Sequence, residues 1–149
     1  MSIKIAIVGR PNVGKSALFN RIIRQRKSIV EEISGVTRDR VTETIVYNGL
    51  NIEFIDTAGI DSKSNQQFND YVIQQSILAI DEADAIIFVV DSRTGPTPLD
   101  IDLCKRIQRI EKPRILAINK VDNKQIDILH EFSSMPIRNK ICISVEHVF

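Results

Sequence analysis

The sequence has no tryptophan, only two cysteines, and aromatic residues at just 5% of its 149 positions. Two cysteines cannot build the disulfide framework of a small secreted domain, so Cys104 and Cys142 are expected to be reduced thiols. The two histidines, His130 and His147, do not combine with the cysteines in any zinc-binding spacing. These shortages argue against a disulfide-rich protein and against a zinc-stabilised one.

An excess of charge of one sign and long apolar runs are also lacking. Lys and Arg number 20 against 19 Asp and Glu, so the net charge of +1 gives no overall reason to bind nucleic acid or an anionic membrane, although a local basic patch is compatible with it. The longest pure apolar run is residues 85–90, far shorter than the roughly 20 residues of a membrane-spanning helix. The first residues lack the apolar core and cleavage site of a signal peptide. We therefore expect a cytoplasmic protein without membrane or DNA partners.

Short β-branched runs alternate with longer amphipathic segments along the chain. The predicted strands are residues 3–8, 41–47, 52–55, 85–90, 114–118 and 140–143, and the predicted helices are residues 16–26, 67–81, 100–110 and 125–132. Asn48-Gly49 is a strong signal for a tight hairpin between the second and third strands. This pattern predicts an α/β fold with a mostly parallel six-stranded sheet and one antiparallel strand. Ligands of such folds bind beyond the carboxyl ends of the strands.

The first predicted strand is followed by a phosphate-binding motif. Residues 9–16 read GRPNVGKS and fit G-x-x-x-x-G-K-[ST] between a strand and a helix. The glycines let the loop approach a phosphate closely, and the loop N–H groups with the helix start attract anions. Lys15 adds a positive charge at the β- and γ-phosphates, and the Ser16 hydroxyl suits Mg²⁺. The alternative is a chance glycine turn, which the strand–loop–helix context argues against.

Two further motifs follow later strands. Residues 56–59 read DTAG, which places the Asp56 carboxylate to hold Mg²⁺ and the Gly59 N–H near a terminal phosphate. Residues 119–122 read NKVD. An ionised Asp122 accepts hydrogen bonds from the N1–H and 2-amino groups of guanine, which adenine cannot offer. The alternative for this motif is a polar loop with an Asx turn. Together the three motifs predict a Mg²⁺-dependent guanine-nucleotide site rather than an ATP site.

In this order the motifs resemble those of the translation-factor-type GTPases, which have a Ras-like P-loop G domain, over essentially the whole chain. Residues 9–20, 35–40, 54–60 and 143–147 (GRPNVGKSALFN, GVTRDR, FIDTAGI and ISVEH) are similar to the Era-like GTPases of the TrmE-Era-EngA family. Within that family they resemble the first G domain of the bacterial ribosome-assembly GTPases that carry two G domains. The resemblance implies a GTP hydrolase that switches between GDP and GTP states in large-subunit assembly, with the large ribosomal subunit and rRNA as partners. The alternative is an Era-like GTPase that acts on tRNA or small-subunit rRNA.

The same resemblance implies roles for individual residues. The implied catalytic residues are Asn12, Lys15, Thr37 and Gly59, and the implied Mg²⁺ ligands are Ser16, Thr37 and Asp56. Asn12 would also hold a K⁺ ion; the alternative is that Asn12 only shapes the turn. The nucleotide would be bound by a larger set, namely Gly9, Asn12, Val13, Gly14, Lys15, Ser16, Ala17, Asp56, Gly59, Asn119, Lys120, Asp122, Ser144 and Val145.

The sequence also departs from the family. Ile60 stands where many related GTPases have a water-orienting glutamine, and an isoleucine cannot hydrogen-bond to water. Either hydrolysis depends on an ion or a partner, or the chain is a guanine-nucleotide-binding interaction module with negligible turnover. Ser34 replaces a usual proline, and Val145 replaces a customary alanine. A basic run in and after the first helix is interpreted as a solvated face or as an rRNA contact; it comprises Arg21, Arg24, Arg26 and Lys27.

The resemblance also concerns the extent of the chain. A Ras-like domain continues into one more helix beyond the position of Phe149, and the two-domain relatives continue into a second G domain and a small RNA-binding-like domain. We therefore expect residues 1–149 to be a single G domain that is a fragment lacking its last helix.

Overall fold

A computed structural model of the chain describes residues 2–26, 41–57, 66–121 and 125–145. The strands are β1 (Ser2–Val8), β2 (Val41–Tyr47), β3 (Leu50–Asp56), β4 (Ala85–Asp91), β5 (Arg114–Asn119) and β6 (Lys140–Cys142). The helices are α1 (Lys15–Arg26), α2 (Gln66–Glu82), α3 (Pro98–Gln108) and α4 (Gln125–Glu131). Each predicted strand and helix is present, with its ends within two residues of the prediction.

The strands form one sheet in the order β2-β3-β1-β4-β5-β6. Strand β2 is antiparallel to β3, and the remaining neighbours are parallel. Asn48 (φ 50°) and Gly49 (φ 79°) both have positive φ, as a two-residue hairpin turn requires. The predicted mostly parallel sheet with one antiparallel strand is therefore confirmed.

The central strands are buried on both faces because helices cover the sheet on both sides. Neighbouring residues of a strand point to opposite faces. In β1, Ala6 and Val8 pack with α2 and α3, whereas Ile7 packs with α1. In β4, Phe88 packs on the face covered by α2 and α3, and Val89 packs on the face covered by α1. This arrangement explains why the central strands read as continuous apolar runs rather than as alternating ones.

The carboxyl ends of the parallel strands meet at one edge of the sheet. There β1 ends at Val8, β3 at Asp56, β4 at Asp91 and β5 at Asn119. The register pairs Asp91 with Asn119 directly. Asp56 and Asn119 belong to the sequence motifs, so the carboxyl edge brings the ends of these motifs together, and Asp91 adds a carboxylate on the strand between theirs.

Helix α3 begins two residues earlier than the sequence pattern predicts, because a capping box defines its start. Thr97 is the N-cap, and its hydroxyl accepts a hydrogen bond from the Asp100 N–H at 3.2 Å. The Asp100 carboxylate accepts from the Thr97 N–H at 3.0 Å in return. Pro98 occupies the first helical turn, where its missing N–H costs nothing.

Two expectations from composition can be compared with the structure. Both cysteines are free thiols, as predicted: Cys104 is buried, and Cys142 is partly exposed. Among the described helices, none is long and apolar enough to span a membrane.

The capping box gives a test of the α3 boundary. Replacing Thr97 by alanine removes the N-cap acceptor and should lower the free energy of unfolding by about 0.5–2 kcal/mol. Thr97→Ser keeps the hydroxyl and is the matched control. Urea denaturation followed by circular dichroism measures both variants. An alanine variant as stable as the serine variant would contradict the assignment.

Candidate functional site

The phosphate-binding motif forms a tight loop between β1 and α1. Gly9 (φ 147°) and Gly14 (φ 105°) have backbone angles that side chains rarely allow. A Cβ on Gly9 would lie 2.4 Å from the Val89 carbonyl oxygen, and one on Gly14 would lie 2.1 Å from the Asn119 amide nitrogen. Both glycines are therefore required because the loop packs against β4 and β5.

Lys15, the first residue of α1, folds back over the loop and is only 5% exposed. Its Nζ donates to the carbonyl oxygens of Gly9 at 2.6 Å and Arg10 at 3.2 Å. Burial lowers the pKa of Lys15 to about 8, while the Asp56 carboxylate acts to raise it and the Arg10 guanidinium to lower it. An anion bound in the loop would favour the charged lysine and raise this pKa again.

Ser16 and Asp56 lie next to each other although they belong to different elements. The Ser16 hydroxyl donates to Asp56 Oδ2 at 3.3 Å. Asp56 is 2% exposed, and the following Thr57 donates its hydroxyl to the Ile7 carbonyl at 3.2 Å, which holds the end of β3 against β1. A hydroxyl and a carboxylate are oxygen donors of the kind that Mg²⁺ prefers, so the two residues fit a magnesium site.

Asn119 connects the phosphate loop to the segment after β6. Its side chain is buried, its Nδ2 donates to the Val13 carbonyl at 2.9 Å, and its Oδ1 accepts from the Val145 N–H at 3.2 Å. Both polar ends of the Asn119 side chain thus bind backbone. The residue holds two loops together, and a direct contact with a nucleotide stays a prediction.

Lys120 adds a second bridge to the phosphate loop. Its Nζ donates to the Asn12 carbonyl at 3.1 Å and forms an ion pair with Asp91 Oδ2 at 3.0 Å. Sequence reasoning missed Asp91. The available signal was its position at the carboxyl end of β4, equivalent to the positions of Asp56 in β3 and Asn119 in β5.

Arg10 anchors the start of the phosphate loop to α3. Its Nε lies 3.4 Å from Asp100 Oδ2, in an ion pair with a carboxylate that is fully buried. The same Asp100 oxygen accepts from the Thr97 N–H. Nothing in the local sequence indicates this contact, which joins residues 90 positions apart.

The residues after β6 are held against β5 and α1. The Ile143 N–H donates to the Ile118 carbonyl at 2.9 Å, and Ser144 and Val145 are both buried. Arg21 donates from Nη1 to the Val145 carbonyl at 2.9 Å. The Arg21 guanidinium thus has a partner within the protein, and the interpretation of the basic run as a solvated face or an rRNA contact stays a prediction. Arg24 is exposed.

Some predicted site residues fall outside the described part of the chain. These are Thr37, Gly59, Asp122 and the Ile60 position, and the side chains of Arg26 and Lys27 are not described either. The described members of the predicted site gather at the carboxyl edge of the sheet. Ala17 is exposed on the first turn of α1. Together, the strand order, the phosphate loop and the paired Ser16 and Asp56 define a P-loop nucleotide-binding domain with a Ras-like sheet.

Comparison with known proteins identifies the family. The 50S ribosome-binding GTPase family matches residues 4–120. GTPase Der of Protochlamydia amoebophila is 47% identical over 142 residues, which are 95% of this chain and 29% of that protein. GTPase Der of Sulfurihydrogenibium sp. is 46% identical over 142 residues, 95% of this chain and 32% of that protein. The chain belongs to the 50S ribosome-binding GTPase family, and it spans about a third of the length of these curated relatives.

Solved structures agree with this assignment. Aquifex aeolicus Era bound to GDP and AlF4⁻ superposes with a TM-score of 0.73 at 30% identity, covering 97% of this chain and 51% of that one. Era in complex with MgGDPNP and nucleotides 1506–1542 of 16S ribosomal RNA gives a TM-score of 0.71 at 30% identity with the same coverage. The predicted Ras-like fold and the predicted class, an Era-like P-loop GTPase domain, are confirmed.

The lowered pKa of Lys15 gives a test of its role. If Lys15 binds nucleotide phosphates in its charged form, GDP binding should take up protons at a pH close to its free pKa of about 8. The uptake by Lys15 should reach about half a proton per GDP at that pH. It should vanish near pH 6, where Lys15 is already charged before GDP binds. GDP affinity should correspondingly fall as the pH rises from about 7 to about 9. Isothermal titration calorimetry in buffers of different ionisation enthalpy measures the uptake.

Lys15→Arg is the matched control for this experiment. An arginine stays protonated throughout this range, so the variant should bind GDP without proton uptake. Equal uptake by the two proteins at pH 8 would show that another group titrates.

Proposed function

We propose that this chain binds GDP and GTP at the carboxyl edge of the sheet and hydrolyses GTP as a nucleotide-controlled switch in assembly of the large ribosomal subunit. One observation carries the proposal: the three motifs converge on one place. The Ser16 hydroxyl lies 3.3 Å from Asp56 Oδ2, which joins the phosphate loop to the second motif. The Asn119 amide meets the Val13 carbonyl at 2.9 Å, so the base-selecting motif is joined to the phosphate loop.

The phosphate end of the proposed site depends on Lys15, Ser16 and Asp56. Lys15 would exchange its bonds to loop carbonyls for bonds to the β- and γ-phosphates, a change favoured by charge. Ser16 and Asp56 would hold Mg²⁺, together with Thr37 as the resemblance implies. When bound, Mg²⁺ neutralises charge on the phosphate oxygens. Gly59 would contribute its N–H to the γ-phosphate.

The base end of the proposed site depends on the segments that Asn119 joins. Asp122 would accept hydrogen bonds from the guanine N1–H and 2-amino groups. Lys120 would lie against the base, held by its bonds to Asn12 and Asp91. Ser144 and the Val145 N–H would close over the guanine O6. Both residues are buried next to Asn119, and the Val145 N–H, which donates to Asn119 Oδ1 at 3.2 Å, would be shared between Asn119 and the base.

Hydrolysis in the proposed function is assisted by K⁺ at Asn12. The Asn12 side chain is exposed, while its backbone is fixed at φ 68° and tied to Lys120. Its amide oxygen can therefore face a cation without moving the loop. A bound K⁺ supplies the kind of positive charge that an arginine finger supplies elsewhere, where it raises the rate by about 10³–10⁵. The positive φ equally suits an asparagine that only shapes the turn, so the experiment below separates the two.

The proposed partners are the large ribosomal subunit and its rRNA. Support comes from the family, described as 50S ribosome-binding, and from the relatives named GTPase Der. A ribosomal partner would place the protein in the cytoplasm. The Era structure that holds 16S ribosomal RNA favours small-subunit RNA as the alternative partner. Ile60 favours a second candidate function, a guanine-nucleotide-binding module with negligible turnover, because this residue cannot orient water.

The K⁺ proposal predicts a specific response to the salt. GTP turnover should be at least roughly tenfold faster in KCl than in NaCl at equal ionic strength. Asn12→Gly keeps the positive φ but removes the amide oxygen, so it should lose the K⁺ advantage while still binding GDP. Asn12→Asp keeps an oxygen and should retain part of the advantage. Phosphate release from GTP measures all three proteins.

Two outcomes would oppose this mechanism. Equal turnover of the unchanged chain in both salts would remove the K⁺ role. No turnover in either salt, with GDP still bound, would favour the interaction module over the GTP hydrolase.

Base selection predicts that GDP binds much more tightly than ADP. A site built on hydrogen bonds to the guanine edge should reject adenine by at least about 10⁴-fold. Asp122→Asn should abolish most of this preference, because an amide cannot accept both guanine N–H groups. Competition of each nucleotide against a fluorescent GDP analogue measures the preference. ADP that competes at the same concentration as GDP would contradict a guanine site.

A further inference from the structure

Arg21 reaches from the middle of α1 to the segment that follows β6. Its Nη1 donates to the Val145 carbonyl at 2.9 Å, and the contact joins residues 124 positions apart. The side chain is partly buried, so this hydrogen bond is shielded from competing water more than a surface contact would be. A charged donor makes the bond stronger than a neutral one.

The Val145 backbone is held from both sides. Arg21 binds the carbonyl, while Asn119 Oδ1 accepts from the N–H of the same residue at 3.2 Å. The Val145 side chain is itself buried. With both of its flanking peptide groups bonded, Val145 has little freedom to move relative to α1 and β5.

The segment before Val145 is attached independently of Arg21. The Ile143 N–H donates to the Ile118 carbonyl at 2.9 Å, and the Ile143 carbonyl accepts from the Val121 N–H at 3.1 Å. Strand β6 ends at Cys142, so these bonds continue the contact with β5 for one more residue. Removing the Arg21 side chain should therefore loosen Val145 locally and leave the sheet intact.

We infer that Arg21 is a positioning residue for guanine selection, acting through the Val145 carbonyl to hold the Ser144–Val145 segment in place beside the position of the base. The inference rests on the proposed function, in which Ser144 and Val145 close over the guanine O6. Arg21 itself touches no part of the proposed nucleotide. Its effect should appear in the part of the affinity that comes from the base and not in the part that comes from the phosphates.

Arg10 is a useful comparison, because its side chain is expected to affect phosphate binding and not base selection. It is also a partly buried arginine, but it holds the phosphate end: its carbonyl accepts from Lys15 Nζ at 3.2 Å, and its guanidinium pairs with Asp100. Loss of the Arg10 side chain should weaken binding of any diphosphate, with or without a base. Arg21 and Arg10 thus separate the two ends of the site.

The experiment compares GDP with inorganic pyrophosphate, which has the phosphates but no base. Competition against a fluorescent GDP analogue in K⁺ and Mg²⁺ gives the dissociation constants of both ligands for the chain and its variants. Arg21→Met should raise the GDP constant by roughly five- to tenfold, as expected for loss of one charged hydrogen bond. Its pyrophosphate constant should stay within about twofold. Arg10→Met should raise both constants by a similar factor.

Arg24→Met is the matched control, because Arg24 lies on the same helix and is exposed. It should change neither constant. A proportional rise of the GDP and pyrophosphate constants in Arg21→Met would overturn the inference, since it would show a general structural role. An unchanged GDP constant would overturn it as well.

Arg21→Lys keeps the experiment decisive if the methionine variant does not fold. Lysine has a cationic donor but lacks the planar fork and the reach of arginine, so the GDP constant alone should rise, by a smaller factor. A rise in both constants, or in neither, would overturn the inference. Failure of the unchanged chain to bind GDP is a separate result, which would overturn the proposed function itself.

Discussion

The site depends on the side chain of Asn119, because this side chain is buried and joins the phosphate loop to the segment after β6. It binds the Val13 carbonyl on one side and the Val145 N–H on the other. Gly14 leaves the room for it, since a Cβ there would lie 2.1 Å from the Asn119 nitrogen. A buried amide that loses its partners costs about 1–3 kcal/mol. The phosphate loop, β5 and the segment after β6 are thus held as one unit.

The positive charges around the phosphate loop are held in place by the protein before any anion binds. Lys15 binds loop carbonyls, Lys120 pairs with Asp91, and Arg10 pairs with a buried Asp100. Burial lowers the pKa of Lys15 to about 8, which shows that the free loop disfavours charge at that point. Anion binding would relieve this cost, so the affinity of the loop for phosphate and the charge state of Lys15 are linked.

Helix α1 connects the two ends of the proposed nucleotide site. Its first residue is Lys15, which covers the phosphate loop, and Arg21 further along contacts the segment after β6. A helix is rigid over this length, so the distance between the phosphate end and the base end is set by the helix together with Asn119. In the proposed function, recognition of the base and positioning of the phosphates therefore share one support.

The sequence by itself determined the strands, the helices, the mixed sheet and the three motifs, because apolar periodicity, the Asn48-Gly49 turn and the residues at strand ends are local signals. It did not determine the partners of Arg10, Arg21 and Lys120. Their contacts join residues 90, 124 and 29 positions apart, and only the order of the strands in the sheet brings such residues together. In the sequence, nothing distinguishes Asp91 and Asp100 from other acidic residues, because their cationic partners lie far away along the chain. The tertiary structure alone turned them into counter-charges of the site, because burial raises the cost of leaving a charge unpaired.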